Sequence, residues 1–248
     1  ALNIDYEFMG YTPSAGLLEL REAIAGKFAA ENKMVVSPTD IIVTVGVKEG
    51  LTIALQACLE TGDEVLLHTP NWVTYEPLVL LAGAVPVHVP LVSWNAETLA
   101  NALLGKITGK TKAIILSNPH NPTGRMYKRT ELDQIAEMAK RHDLLIFVDE
   151  VLEYLNYENQ PHVSIGSMEG MADRTLTFNG FSKSYSMSGW RVGYVAGTQS
   201  IIKNMLKIHQ HAVTCANAFS QKGAVNAITG SQAGRLKIKE SLFIRRNF

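Results

Sequence analysis

Lys183 lies in the run Asn179-Gly180-Phe181-Ser182-Lys183-Ser184-Tyr185-Ser186-Met187-Ser188-Gly189-Trp190-Arg191, which mixes small, hydroxyl-bearing and aromatic residues with one lysine and one arginine. A lone lysine is usually a solvated surface charge. Here Phe181, Tyr185, Met187 and Trp190 predict partial burial, and a desolvated amine near another cation is a nucleophile able to form a Schiff base. Asp149-Glu150 closes a fully apolar run. Two acids there are either a helix cap and a surface group, or a carboxylate that needs a cation or a hydrogen-bond donor. In Ser117-Asn118-Pro119-His120-Asn121-Pro122-Thr123-Gly124, two Asn-Pro pairs and a glycine make a rigid turn. That turn is plain structure, or it offers the Asn121 amide to a ligand oxygen. Gly46-Val47-Lys48 opens a helix after a β-branched run. Most such turns only connect elements, but the glycine permits close backbone approach and the free N–H groups of the first helical turn suit a phosphate.

All four segments follow predicted strands. Apolar, β-rich runs fall at Ile41–Val45, Glu64–His68, Val85–Val89, Lys112–Leu116, Leu144–Val148, Arg174–Phe178 and Val192–Ala196. Helical periodicity falls at Gly16–Glu31, Lys48–Glu60, Trp72–Ala82, Ala96–Leu104 and Thr130–His142, and in segments from about Ser200 to Gly230. The alternation predicts an α/β fold, three layers α/β/α around a mainly parallel seven-stranded sheet. In such sheets ligands sit beyond the carboxyl ends of the strands. A phosphate cradle, an amide donor, a strand-end carboxylate, an amine and an arginine then converge. These are the parts that hold pyridoxal 5′-phosphate: a lysine Schiff base, an acid on the pyridine nitrogen and an anion site.

Composition excludes several other classes. The 248 residues carry 23 Lys+Arg against 23 Asp+Glu, a balance that argues against a nucleic-acid partner. The longest apolar stretch, 77–87, is broken by Gly83 and Pro86 and is too short to span a membrane. Residues 1–10 lack the layout of a signal peptide. Cys58 and Cys215 have neither disulfide-scaffold nor zinc spacing, so the expected compartment is the reducing cytoplasm. No metal is expected: His68, His88, His120, His142 and His162 read as loop or strand-edge residues, and His209 and His211 are two apart rather than four. Cys58 reads as part of a core helix and Cys215 as part of a helix near a dimer face.

The chain also resembles, over essentially its whole length, the fold-type-I pyridoxal-phosphate enzymes, class I/II aminotransferases. The resemblance rests on Tyr11-Thr12-Pro13-Ser14-Ala15-Gly16-Leu17-Leu18-Glu19-Leu20-Arg21, Thr44-Val45-Gly46-Val47-Lys48-Glu49-Gly50-Leu51, Gly62-Asp63-Glu64-Val65, Pro70-Asn71-Trp72-Val73-Thr74-Tyr75, 118–124, Asp149-Glu150-Val151, and Ser182-Lys183-Ser184 with Gly189-Trp190-Arg191-Val192-Gly193-Tyr194. It implies amino transfer between an L-amino acid and a 2-oxo acid by a ping-pong route, with a lean towards the aspartate/aromatic/kynurenine group. Lys183 resembles the Schiff-base lysine and proton carrier, and Asp149 the partner of the pyridinium nitrogen. Asn121 resembles the donor to the ring phenolic oxygen, and Trp72 the stacking aromatic. Gly46, Val47 and Lys48 resemble the phosphate cradle, completed by Arg191. Tyr11 resembles the tyrosine that reaches a neighbour's cofactor, which implies a homodimer.

Two positions depart from the pattern. Leu152 stands where a tyrosine is usual: either Tyr154 substitutes for it through a shifted loop, or the Schiff base is tuned without that donor. Gly180 stands where a hydroxyl often precedes the lysine, leaving Ser182 or Ser184 to contribute. Neither an N-terminal arm nor a C-terminal small domain is expected in these residues. The domains therefore read as 1–38, a segment and helix leading in; 39–230, the cofactor-binding body; and 231–248, the start of a linker helix. Fold does not fix reaction. A C–S β-lyase or cyclopropane-carboxylate-type synthase would use the same cofactor residues, and a non-catalytic cofactor-binding domain would keep the site without turnover.

Overall fold

The computed structural model describes residues 10–91, 96–157 and 160–248, without the side chains of Ala96 and Thr98. Residues 1–9 of the predicted leading segment lie outside the described residues. Strands β1 (Ile41–Thr44), β2 (Glu64–Thr69), β3 (Val85–Pro90), β4 (Thr111–Ser117), β5 (Leu145–Asp149), β6 (Thr175–Gly180) and β7 (Gly193–Ala196) form one sheet in the order β1-β7-β6-β5-β4-β2-β3. Neighbours from β3 to β6 are parallel, and β7 runs antiparallel to both β6 and β1. The predicted mainly parallel sheet is therefore present, with β7 as its one reversed strand.

The sheet is covered on both faces, which is why its strands read as continuous apolar runs. Successive strand side chains point to opposite faces. Val65, Leu67, Phe147 and Phe178 pack with α2 (Gly46–Cys58), α3 (Tyr75–Leu81) and α6 (Gln199–Ala212). Leu66, Ile114, Ile146 and Val148 pack with α4 (Ala96–Leu104) and α5 (Arg129–Arg141). Ile41, Val43 and Tyr194 meet α1 (Leu18–Lys27) and α7 (Ala218–Thr229). A final helix, α8 (Ala233–Arg246), has no buried residue.

Register fixes what meets at the carboxyl edge. Ser117 lies opposite Asp149, and Asp149 opposite Phe178. Gly180 lies opposite Gly193, and Gly193 opposite Thr44. The reversed strand thus delivers the Arg191 loop to the same edge that β1 and β5 reach with their last residues.

Four expectations need correction. The predicted helix Gly16–Glu31 is split: α1 ends at Lys27 and a wider π turn spans Phe28–Asn32. The wider turn lets Phe28 enter the core while Asn32 reaches buried partners on the β5 side. Helix α3 starts at Tyr75 rather than Trp72, because Trp72 closes a turn in which its carbonyl accepts from Tyr75 N–H at 3.0 Å. His68 lies in β2, an interior strand, rather than at a loop or strand edge, while His120 lies in a loop as expected; both are buried, as is His209 in α6. Cys215 sits in the turn between α6 and α7, not in a helix.

Candidate active site

A cavity of about 360 Å³ opens at the carboxyl edge, lined by Lys48, Trp72, Asn121, Asp149, Lys183 and Arg191 together with Val47, Ser117, Val151, Leu152, Ser182 and Ser188. Residues from five separate segments of the sequence converge there.

The β5 carboxylate is held from below. Asp149 Oδ2 accepts from the Tyr75 hydroxyl at 3.1 Å, and Oδ1 accepts from Val151 N–H at 3.1 Å. Complete burial pushes Asp149 up to about 6, although these two donors and the charge of Lys183 act in the opposite direction. A buried carboxylate in that state lacks a full cationic partner, and a protonated ring nitrogen would supply one.

Opposite it, Gly46 adopts φ +75°, a conformation that favours glycine. A Cβ on Gly46 would stand 2.3 Å from the Arg191 guanidinium, and one on Gly193 would stand 2.7 Å from Val47 N. Gly193 is therefore required by the close approach of backbone, and Gly46 by its positive φ. Arg191 donates to Ser188 O at 2.9 Å and Val45 O at 3.3 Å, which draws the loop after β6 onto the first turn of α2. Lys48 Nζ lies 5.2 Å from the Trp72 ring centre. This end offers N–H groups, a guanidinium and an ammonium, the donor set of a phosphate site.

Lys183 lines the cavity but is exposed, not partly buried as its aromatic neighbours predicted. Phe181 and Met187 turn into the core instead, and Trp190 is half-exposed and packs against Gly223. Asn121 is brought to the cavity by the 118–124 turn. That turn is anchored by Asn118, whose N–H donates to Asp149 O at 2.9 Å and whose side chain bonds Val163 O and Tyr127 N.

Tyr154 does not reach the cavity. Its hydroxyl donates to Glu31, and the Arg235 guanidinium lies 3.6 Å over its ring. The turn after β5 directs Leu152 inward and Tyr154 towards α8, so the wall at the position of the usual tyrosine is apolar. Ser184 is buried and does not line the cavity, whereas Ser182 does. Tyr11 is exposed and borders a separate cavity with Cys215, Ala216, Asn217 and Phe219.

The sequence reading did not name Tyr75, Ser117, Val151 or Ser188 as contributors, whereas of the two serines it offered, Ser182 is the one that lines the cavity. Tyr75 alone left a signal, since it follows Trp72 by three residues and meets it edge-on at 5.4 Å between ring centres. Beneath the site, Glu150, Glu153 and His162 place ligand-type atoms within 4.8 Å of one another. Lys27 pairs with Glu153, and the Asn32 amide donates to both carboxylates, so the group already has protein partners.

The pattern of the family described as aminotransferase class I and II matches residues 2–243. The chain belongs to this family. It is 43 % identical over 227 residues to an aspartate aminotransferase of Pyrococcus abyssi, covering 91 % of this chain and 58 % of that protein. An aromatic aminotransferase structure from Pyrococcus horikoshii superposes with a TM-score of 0.91 at 39 % identity, covering 96 % of this chain and 64 % of that one. The Thermus thermophilus aspartate aminotransferase with maleate gives 0.89 at 37 % identity, over 96 % of this chain and 63 % of that one. The chain thus spans about three-fifths of the length of these class I/II aminotransferases. Enzymes of this family work with pyridoxal 5′-phosphate, and the cavity's acid, amine, amide, aromatic and phosphate-type donors fit that cofactor.

Proposed function

We propose that this chain carries the cofactor-binding body of an aminotransferase that moves an amino group from an L-amino acid to a 2-oxo acid. One observation carries the reading: the Asp149 carboxylate, the Lys183 amine and the Arg191 guanidinium, 34 residues and more apart from Asp149 in sequence, line a single cavity with Asn121 and Trp72. When bound, pyridoxal 5′-phosphate supplies an electron sink for the carbon whose C–H bond is broken.

The chain's own residues then divide the work. Asp149 would hold a positive ring nitrogen, Asn121 would donate to the ring oxygen, and Trp72 would supply an aromatic surface for the ring. Val47, Lys48 and Arg191 take the phosphate. Lys183 Nζ would hold the cofactor covalently and would carry the substrate's Cα proton. Its exposure on the cavity wall leaves the amine free to do both. The relatives named for aspartate and aromatic amino acids, and the dicarboxylate maleate in the Thermus structure, support an acidic or aromatic amino acid as donor.

Residues 39–230 form the cofactor body in this reading, and α8, which has no buried residue, is the linker helix. The active form is a homodimer in which exposed Tyr11 reaches the partner's phosphate. The cytoplasm is its compartment, which the two free cysteines support. Among the described residues no helix is long and apolar enough to cross a membrane.

The test is the visible absorbance spectrum with added pyridoxal 5′-phosphate, before and after L-aspartate or L-glutamate. The expected result is a band that bleaches with amino acid in the wild type and never forms in Lys183→Ala. A wild type that forms no band refutes the reading.

A further inference from the structure

The first turn of α2 contains an anion, at the helix end assigned to a phosphate. Glu49 Oε2 accepts from Val45 N–H at 2.7 Å, and its Oε1 lies 2.6 Å from Nδ1 of His209 in α6. His209 is fully buried, and the Glu49 side chain is 16 % exposed. The two residues are 160 positions apart and meet only because α6 packs beside α2. Since a carboxylate is acceptor-only, Nδ1 carries the proton and donates.

The Val45 peptide is thereby fixed from both sides. Its N–H is taken by Glu49, and its carbonyl accepts from Arg191. Thr44 Oγ1 donates to the next carbonyl, Gly46 O, at 3.0 Å. The Val45 peptide and the Gly46 carbonyl are therefore both engaged within the protein. A loose Glu49 would instead bring a negative charge to the N–H groups of Val47 and Lys48 and compete with an incoming phosphate for them. Burial of the imidazole shields this hydrogen bond from water, which strengthens it.

We infer that His209 is a positioning residue for the phosphate site: through Glu49 it fixes the Val45–Gly46 turn and keeps the carboxylate away from the bound phosphate. This rests on the phosphate assignment made above.

The test compares dissociation constants of the apo protein for pyridoxal 5′-phosphate and for pyridoxal, which lacks the phosphate. In His209→Leu the preference for the phosphorylated ligand should fall about tenfold. His209→Asn keeps an N–H donor near the Nδ1 position and should retain the preference. His209→Leu combined with Glu49→Gln should recover it, since the amide oxygen still accepts from Val45 N–H and carries no charge. A purely structural histidine would weaken both ligands alike and would not be rescued by Gln, and that result overturns the inference. Should His209→Leu fail to fold, His209→Ala, which equally releases Glu49, must lower the same ratio, and an unchanged ratio there overturns it too. A wild type that binds pyridoxal 5′-phosphate no better than pyridoxal refutes the phosphate assignment and the inference together. A wild type with a strong preference that His209→Leu leaves intact refutes the inference alone.

Discussion

The Tyr75 hydroxyl donates to Asp149 Oδ2 at 3.1 Å, and both groups are buried. The bond favours the ionised carboxylate against the burial that raises its pKa to about 6. Tyr75→Phe removes the donor and should raise the Asp149 pKa further. The acid limb of pyridoxal 5′-phosphate binding then moves to higher pH, and affinity at pH 7 falls about tenfold. Binding titrations at several pH values check this; an unmoved limb shows that Tyr75 does not act on Asp149.

Asp149 should also cost stability when no cofactor is bound. Its folded pKa of about 6 lies above the ordinary 3.8. The folded chain therefore holds the extra proton between those values, and stability falls as pH rises through that window. Asp149→Asn should raise the stability of the apo protein by roughly 3 kcal/mol at pH 8, relative to wild type, with the gain vanishing by pH 4. Urea unfolding of both proteins at the two pH values measures the difference. Cofactor binding should be lost in the same variant.

His68 has the opposite sign. Burial, with His120 adding to it, lowers its pKa from 6.5 to about 3. The unfolded chain takes up a proton there that the folded chain does not, so stability falls as pH drops from 6.5 towards 3. In His68→Gln the dependence of unfolding free energy on pH between 6 and 4 should be shallower by about one proton. That slope is readable even if Gln lowers stability throughout, because the loss of the Tyr127 hydrogen bond at 2.7 Å is independent of pH in this range.

Lys27 and Glu153 form a buried pair whose side chains are each 4 % exposed. Burial pushes Glu153 upward, but the charges of Lys27 and His162 together with hydrogen bonds from Lys27 and Asn32 hold the carboxyl below its usual range. Lys27→Met leaves that charge uncompensated and should cost about 3–5 kcal/mol. Adding Glu153→Gln should recover part of the loss. A melting temperature that Lys27→Met does not change would show that Asn32, Asn179 and His162 suffice to hold Glu153.

Gly193→Ala would place a methyl 2.7 Å from Val47 N and 2.8 Å from the Gly46 carbonyl carbon. The obstacle is backbone, so the sheet edge and the α2 turn must separate. The expected cost is about 1–3 kcal/mol in stability, with a further loss of preference for pyridoxal 5′-phosphate over pyridoxal. Gly189→Ala, where nothing lies within 4 Å, is the control.

The order of strands and helices, the glycine at the α2 turn and the types of the site residues could all be read from the chain, because local periodicity and backbone freedom are properties of short segments. The same reading placed Asp149, Asn121 and Lys183 beyond strand ends, where a parallel sheet collects them. It could not give the exposure of Lys183 or the side on which Tyr154 falls. Neighbouring aromatics suggested burial of the lysine, but Phe181 and Met187 are drawn into the core and leave it on the cavity wall. Tyr154 is two residues from Leu152, yet Glu31 and Arg235, from opposite ends of the chain, hold it away from the cavity. The Tyr75–Asp149 bond and the Glu49–His209 pair likewise join residues 74 and 160 positions apart. A sequence specifies which groups are present and which local elements they occupy. Which of them come within 3 Å depends on helix packing and strand register, and those are settled only when the whole core closes.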